Sequence, residues 1–232
     1  MSFLSIIGQA KALTLLTRAL NSNRLAHGYL FVGPEGVGKS TAARALAAGL
    51  FCRNHHQAGS PCGHCGGCIK FTSGNHPDFL IIRPEGAGIK IQQIRELKKI
   101  LSFPPFEAEL RIVIIEDAQT MGREAGNSLL KILEEPPPGN LLLLIAADSE
   151  PLLDTIVSRC QVIPFMPLPA EQAVMIIQQN HPEFSPEQAE VMAELTGGCP
   201  GQAGTLYNND DVLLLHKECL DALFSPSRSR AE

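Results

Sequence analysis

The sequence lacks three features that would assign a protein to a broad class at once. It has no excess of basic residues, because 19 lysines and arginines face 24 aspartates and glutamates, and the net charge is −5. Any contact with DNA must therefore be local or shared with partners. No apolar run reaches membrane-spanning length, and residues 1–7 contain neither a basic segment nor a long apolar core. We expect a cytosolic protein with no membrane segment.

The length of the chain and its cysteine content indicate the size of the fold and the role of the cysteines. A chain of 232 residues with 44% hydrophobic content can bury one α/β core of ordinary size and add a small satellite domain. Seven cysteines are present, and disulfide bonds rarely persist in the cytosol. We therefore interpret the cysteines as thiols or metal ligands.

The clearest chemical motif is residues 33–40, Gly-Pro-Glu-Gly-Val-Gly-Lys-Ser, which fits G-x-x-x-x-G-K-[ST] at every fixed position. An apolar run at 29–32 precedes the motif and a helical pattern follows it, which is the context of a phosphate-binding loop. Its glycines let consecutive N–H groups face one anion, and the following helix adds its positive dipole end. Lys39 would reach the β- and γ-phosphates, and Ser40 would bind Mg²⁺ through its hydroxyl.

A second cluster is formed by four cysteines, Cys52, Cys62, Cys65 and Cys68. The C-x₂-C-x₂-C spacing on a glycine-rich loop lets three thiolates converge on one ion, and Cys52, at the end of the preceding helix, can complete a tetrahedron. Zn²⁺ is the expected ion, and a closed set of four cysteines indicates a structural role. An iron–sulfur cluster and reactive thiols without metal are the alternatives. His55, His56 or His64 would substitute if Cys52 lay too far away.

Two acids follow a run of β-branched residues at 112–115, as at the end of a central parallel strand. Glu116 could hold the Mg²⁺ shell and Asp117 could orient an attacking water. The usual order in P-loop ATPases of this kind is Asp then Glu, and the shorter Asp117 would place its carboxylate farther from a γ-phosphate. Hydrolysis by this chain is therefore in doubt.

The remaining pattern completes an α/β arrangement with a parallel sheet. Apolar runs predict further strands at 79–82, 141–147 and 161–165, and apolar periodicity predicts helices at 91–101, 126–135 and 152–157. Prolines 136–138 end the second of these helices. Beyond residue 166, a helix is predicted from 169 to 179. A second helix follows a capping box at Ser185 and Gln188, and a third begins near 197–201.

The combination resembles the clamp-loader branch of the AAA+ ATPases over essentially the whole chain. The elements that carry the resemblance are Ile7-Gly8-Gln9 and Ser158-Arg159-Cys160, the four cysteines, and residues 24–27, 33–40, 94–97, 113–117 and 129–137. The resemblance implies a RecA-like nucleotide-binding domain at 1–165 with a zinc module at about 52–68, and a three-helix lid at 166–209. Residues 210–232 would begin a helical collar that family members continue, so the chain is expected to be truncated.

The resemblance also implies ligands and partners. The site for ATP or ADP would use Ile7 and the loop residues Gly33, Pro34, Glu35, Gly36, Val37, Gly38, Lys39, Ser40 and Thr41. Glu116 and Asp117 would be its acids, and Arg159 would act in trans on a neighbour's nucleotide. The partners would be gamma/tau and delta subunits in a hetero-pentamer, with the sliding clamp and primed DNA reached through the complex.

Two roles in such a loader differ in chemistry. A stator would bind ATP with little turnover and supply Arg159, whereas a motor of the gamma/tau type would hydrolyse ATP itself. Gly201 stands where the motor subunits carry a sensor arginine, and Ala146-Ala147-Asp148 departs from the threonine-bearing first sensor. Both departures favour the stator. A P-loop kinase of a small metabolite with a zinc lid would leave Ser158-Arg159-Cys160 unexplained.

Overall fold

The computed structural model describes residues 3, 6–22, 24–54, 60–150 and 152–208. They form two compact units, which divide between Pro167 and Leu168. The predicted collar at 210–232, and the alternative ligands His55 and His56, lie outside the described residues.

The first unit is built on a parallel sheet with the strand order β2-β3-β4-β1-β5. The strands are β1 (Gly28–Val32), β2 (Phe79–Ile82), β3 (Arg111–Ile115), β4 (Asn140–Ala146) and β5 (Gln161–Pro164). Strands β3 and β4 are buried along their whole length, which explains their continuous apolar runs. The predicted parallel α/β fold is therefore confirmed.

Six helices surround this sheet in the described part of the first unit. They are α1 (Ala10–Asn21), α2 (Lys39–Phe51), α3 (Gly66–Thr72), α4 (Ile91–Leu101), α5 (Arg123–Glu134) and α6 (Asp154–Val157). Helix α4 has the predicted bounds and buries Ile94, Leu97 and Leu101, the residues of its predicted apolar face. Helix α5 begins three residues earlier than predicted, at Arg123.

Residues 66–72 differ from the sequence-based expectation of a glycine-rich loop, because they form α3. Cys65 is the N-cap residue of this helix, and Cys68 lies in its first turn. The helix packs closely on the end of α2, since a Cβ at Gly67 would lie 2.0 Å from the carbonyl oxygen of Phe51. Glycine at this position is therefore required by the close packing of α3 on α2.

The second unit contains α7 (Ala170–Asn180), α8 (Pro186–Leu195) and α9 (Ala203–Tyr207), which surround a small apolar core. The predicted capping box is confirmed. Ser185 Oγ accepts a hydrogen bond from Gln188 N at 3.2 Å, and Gln188 Oε1 accepts one from Ser185 N at 2.9 Å. Among the described residues of both units, no helix has the length and apolar character needed to cross a membrane.

Candidate functional site

The loop of residues 33–38 connects β1 to α2, so the motif lies between a strand and a helix as predicted. Its first residue is held between two neighbouring strand ends. Gly33 N donates to Ala146 O at 3.3 Å, and a Cβ at Gly33, where φ is +152°, would lie 2.2 Å from the Phe165 carbonyl oxygen. Only glycine fits this position. Gly38, with φ +105°, is the N-cap of α2.

Lys39 is the first residue of α2 and is 6% exposed. Its Nζ donates to the carbonyl oxygens of Gly33 at 2.5 Å and Pro34 at 2.7 Å, so the ammonium group lies within the curve of the loop. Ser40, half-buried, and Thr41, exposed, follow in the first helical turn. The N–H groups of this turn and the ammonium group together provide a positive environment for an anion.

The other residues predicted for nucleotide binding lie in or near this loop. Glu35 is exposed, Gly36 has a φ of +78°, and Val37 is buried. Ile7 is half-buried and lies two residues before Gln9, whose side-chain amide donates to Val37 O at 3.3 Å. The structure therefore brings the N-terminal segment against the phosphate loop.

Glu116 follows β3, and two arginines bind its carboxylate. Arg44 NH2 lies 3.2 Å from Glu116 Oε1, and Arg83 Nε lies 2.8 Å from Oε2. Arg44 lies on α2 four residues after Ser40, and the Glu116 side chain is only 17% exposed. Both carboxylate oxygens are thus neutralised by guanidinium groups. The role of Glu116 in the Mg²⁺ shell stays a prediction, since one guanidinium contact leaves each carboxylate oxygen a second lone pair.

Asp117 lies at a left-handed turn, with φ +51°, and is exposed. Its carbonyl oxygen accepts hydrogen bonds from the Thr120 backbone at 2.9 Å and from the Thr120 hydroxyl at 2.8 Å. Its carboxylate accepts a long bond from Gln119 Nε2 at 3.4 Å, and Gln119 Oε1 accepts from Ala147 N at 3.2 Å. Gln119 therefore joins the ends of β3 and β4, a role that no motif or periodicity in the sequence indicates.

Arg159 follows α6, and its guanidinium group is paired within its own chain. NH2 lies 2.8 Å from Glu134 Oε1, and NH1 donates to Thr155 O at 3.1 Å and to Ser158 Oγ at 3.4 Å. The Arg159 side chain is 35% exposed and that of Glu134 is 48% exposed. The local pairing and the exposure together describe a surface guanidinium group with a defined orientation.

The four predicted cysteine ligands are brought together. Their sulfur atoms all lie within 4.8 Å of one another, and Cys62 Sγ is 4.0 Å from Cys68 Sγ. Four sulfurs bound tetrahedrally to zinc at about 2.3 Å would lie about 3.8 Å apart, so the set fits one Zn²⁺ ion. Cys52 is close enough to serve, and His64 is exposed and bonded to Cys62 O at 2.8 Å instead.

Backbone N–H groups favour thiolates in the cysteine cluster, whereas burial opposes them. Cys62 N donates to Cys52 Sγ at 3.2 Å, and Cys65 N donates to Cys62 Sγ at 3.4 Å. A backbone hydrogen bond from Cys68 is the largest cause that lowers the pKa of the Cys65 thiol to about 6, whereas burial raises the pKa of the Cys68 thiol to about 12. Metal binding requires all four as thiolates and would favour the deprotonated form of each.

Comparison with known proteins identifies the family. A family model described as DNA polymerase III, delta subunit, matches residues 8–169. The chain belongs to this family. It is 39% identical over 204 residues to DNA polymerase III subunit delta' of Bacillus subtilis (strain 168), which covers 88% of this chain and 60% of that protein. The delta' subunit of Pseudomonas aeruginosa is 38% identical over 188 residues, with 78% of this chain and 56% of that protein covered.

These two relatives identify the delta-prime branch of DNA polymerase III subunits, which confirms the clamp-loader resemblance. The chain spans about three-fifths of the length of the delta' proteins that it matches. It is also 32% identical over 201 residues to subunit tau of Escherichia coli (strain K12), covering 85% of this chain and 31% of that protein. Both kinds of subunit thus match most of this chain.

A solved structure supports the fold alone. The Holliday junction branch migration motor RuvB of Thermotoga maritima matches with a TM-score of 0.59 at 17% identity, covering 93% of this chain and 70% of that one. At this identity, the similarity describes the arrangement of the strands and helices and not the activity.

Proposed function

We propose that this chain is a clamp-loader subunit of the bacterial replicative DNA polymerase III holoenzyme, which helps to load the sliding clamp onto primed DNA in the cytoplasm. Its partners would be gamma/tau and delta subunits in a hetero-pentamer. Membership of the delta-prime family carries this proposal. The net charge of −5 also agrees with DNA contacts that are shared with partners.

The proposed nucleotide site is the loop between β1 and α2. Lys39, on the carbonyl oxygens of Gly33 and Pro34, and the N–H groups at the start of α2 support binding of ATP or ADP. Ser40 is the residue of this loop that would bind Mg²⁺.

The proposed role of the subunit is that of a stator with little hydrolysis of its own. The pairing of Glu116 with Arg44 and Arg83 supports this role, because a neutralised carboxylate is a poor partner for a catalytic cation. Arg159, oriented and partly exposed, would then act in trans on the ATP of the neighbouring subunit, where a guanidinium group stabilises the charge of the transition state.

The zinc module is the second part of the proposal. One Zn²⁺ bound by Cys52, Cys62, Cys65 and Cys68 would hold an insertion that is too small to form a core of its own. A site with four sulfur ligands is closed, so its role would be structural.

The test of the proposed function compares ATP hydrolysis by this chain alone with hydrolysis by the loader assembled from this chain, gamma/tau and delta. A version that carries the predicted collar is used, since assembly is expected to depend on it. We expect negligible turnover alone and clamp- and DNA-stimulated turnover only in the mixture. Titration calorimetry with ATP, and with Lys39→Ala as control, tests binding separately.

An ATP-hydrolysing motor of the gamma/tau type is the second candidate, and the similarity to subunit tau favours it. Turnover by the isolated chain, abolished by Lys39→Ala, would support the motor and exclude the stator. If the assembled loader works at the same rate without this chain, the clamp-loader role itself is wrong.

A further inference from the structure

The side chain of Gln9 joins two segments of the first unit that are remote from it in sequence. Its Nε2 donates to Met166 O at 2.7 Å and to Val37 O at 3.3 Å, while its Oε1 accepts from Met166 N at 3.1 Å. Met166 follows β5, and Val37 belongs to the phosphate loop. One amide group therefore links the loop to the segment through which the chain leaves the first unit.

The left-handed backbone conformation of Gln9 indicates that its side-chain contacts hold this residue in place. Gln9 is in the left-handed conformation, with φ +54° and ψ +31°, as the N-cap of α1. It is one of two non-glycine residues with positive φ in the described part of the chain, the other being Asp117. This conformation is strained for residues with a Cβ and persists where surrounding contacts fix it. Glycine would relieve the strain but would remove all three side-chain hydrogen bonds.

The bond to Val37 fixes the direction of a peptide group in the phosphate loop. In a trans peptide the C=O and the following N–H point in opposite directions, so a Val37 carbonyl held by Gln9 directs the Gly38 N–H away from Gln9. Gly38, with φ +105°, has the conformational freedom that would otherwise let this peptide rotate. Gly38 N–H belongs to the row of amides before Lys39 on which anion binding by such a loop depends.

We propose that Gln9 is a positioning residue that fixes the Val37–Gly38 peptide of the phosphate loop against Met166. It thereby strengthens nucleotide binding and couples that binding to the order of residues 165–167. The inference rests on the proposed function, because it takes the loop to be a nucleotide site. The coupling is reciprocal: nucleotide in the loop should protect residues 165–167, and loss of the Gln9 amide should loosen both segments.

The test uses the full chain and three variants of Gln9. Gln9→Gly removes the amide without backbone strain, and Gln9→Glu keeps the acceptor for Met166 N but directs a carboxylate at two carbonyl oxygens. We expect both variants to bind ATP about 3- to 30-fold more weakly, because Gln9→Glu loses two of the three hydrogen bonds and Gln9→Gly loses all three, and only part of that loss acts on the loop. Gln9→Asn, whose amide is one methylene too short, repeats the test if melting curves show that Gln9→Gly is unfolded.

Gln92→Ala is the matched control. It alters an exposed glutamine on α4 that is bonded to Glu96, and it should bind ATP as the parent does.

Hydrogen exchange in the absence of nucleotide separates this inference from the proposed function. Faster exchange of the backbone amides of residues 35–38, Phe165 and Met166 in Gln9→Gly, with parental exchange in the sheet, supports the positioning role. Parental exchange in both segments, or parental ATP affinity in a chain that does bind ATP, overturns it. If neither the parent nor Lys39→Ala binds ATP, the nucleotide proposal is wrong, and the proposed effect of Gln9 on affinity is overturned with it. The exchange rates would then still decide whether Gln9 links the loop to Met166.

Discussion

Glu134, the last residue of α5, forms an ion pair with the guanidinium group of Arg159, whose NH2 lies 2.8 Å from Glu134 Oε1. Both side chains are partly exposed, and exposed ion pairs contribute only about 0–1 kcal/mol. The ion pair with Glu134 therefore orients the guanidinium group of Arg159 but contributes little free energy to keeping it there. A phosphate group from a neighbouring subunit, which carries more charge than one carboxylate, could replace Glu134 at small cost.

The first prediction concerns the trans role of Arg159. Arg159→Ala should leave this chain folded and able to bind its own nucleotide, whereas ATP hydrolysis at the neighbouring site of the assembled loader should fall on the order of 10³-fold. Clamp- and DNA-stimulated turnover of the loader measures the effect. An assembled variant loader that hydrolyses ATP at the parental rate would show that Arg159 is structural.

Two further variants separate charge from geometry. Arg159→Lys keeps the positive charge but loses the planar fork of donors, so we expect it to recover only a small part of the activity. Glu134→Gln removes the opposing charge while keeping an acceptor for Arg159. It should therefore change loader turnover much less than Arg159→Ala does.

The second prediction concerns the metal. Protein purified without chelator should contain one Zn²⁺ per chain, and Cys65→Ser should lose the ion and melt at a lower temperature, because binding energy at a structural site is folding energy. Metal analysis and melting curves measure both effects. Cys199→Ser, which alters a buried cysteine of the second unit, is the control and should keep the zinc. Metal-free parent protein with the same melting temperature as Cys65→Ser would contradict the zinc site.

The third prediction tests the packing of the zinc module with two adjacent glycines of α3. Gly67→Ala would place a Cβ 2.0 Å from Phe51 O, so α3 must move away from the end of α2. We expect a loss of about 1–3 kcal/mol of stability, as for overpacking, together with weaker zinc retention. Gly66→Ala meets no atom of the described residues within 4 Å and should be neutral or slightly stabilising. Equal stability of the two variants in urea unfolding would refute this account.

The elements of the fold and the local motifs could be predicted from the sequence. The apolar periodicity of α4, the buried run of β3 and the capping box at Ser185 each depend on residues close together in the chain. The cysteine cluster was predictable for the same reason, since a short spacing already limits where four sulfurs can lie. The helical form of 66–72 was missed, because two adjacent glycines normally disfavour a helix.

The side-chain partners at the candidate site could not be predicted in this way. Glu116 meets Arg44 across 72 positions of sequence, and Gln9 meets Met166 across 157. Periodicity reports which face of an element is buried, but it carries no information about which exposed polar groups meet in space. The acidic pair at the end of β3 was therefore recognised as a candidate site, while the pairing of its first member with two guanidinium groups appeared only in the structure.

Asp78 anchors the loop between α4 and β3, and its carboxylate is fully buried. Its oxygens accept N–H bonds from Phe106 at 2.6 Å, Glu107 at 2.9 Å and Ala108 at 3.0 Å, and Arg111 NH2 lies 3.7 Å away. Burial opposes the charged form, but the three N–H bonds and the Arg111 charge outweigh it and lower the pKa of Asp78 below its ordinary value.

The fourth prediction is that Asp78→Asn costs about 2–4 kcal/mol at neutral pH, because an amide supplies one acceptor oxygen where the loop presents three donors. Since the pKa of Asp78 is lowered on folding, its contribution is complete above about pH 4, the range of an unfolded Asp, and is lost as the pH falls through the folded value. His76, whose pKa is lowered chiefly by burial, destabilises both proteins below about pH 6.5, and the variant more strongly, because the charge of Asp78 raises the pKa of His76 in the parent. Urea unfolding from pH 7 to pH 2.5 should therefore show the stabilities of the parent and of Asp78→Asn converging below pH 4.

Asp148→Asn, at an exposed position, is the control and should follow the parent throughout. A constant difference in stability between the parent and Asp78→Asn would mean that the loss in the variant is steric.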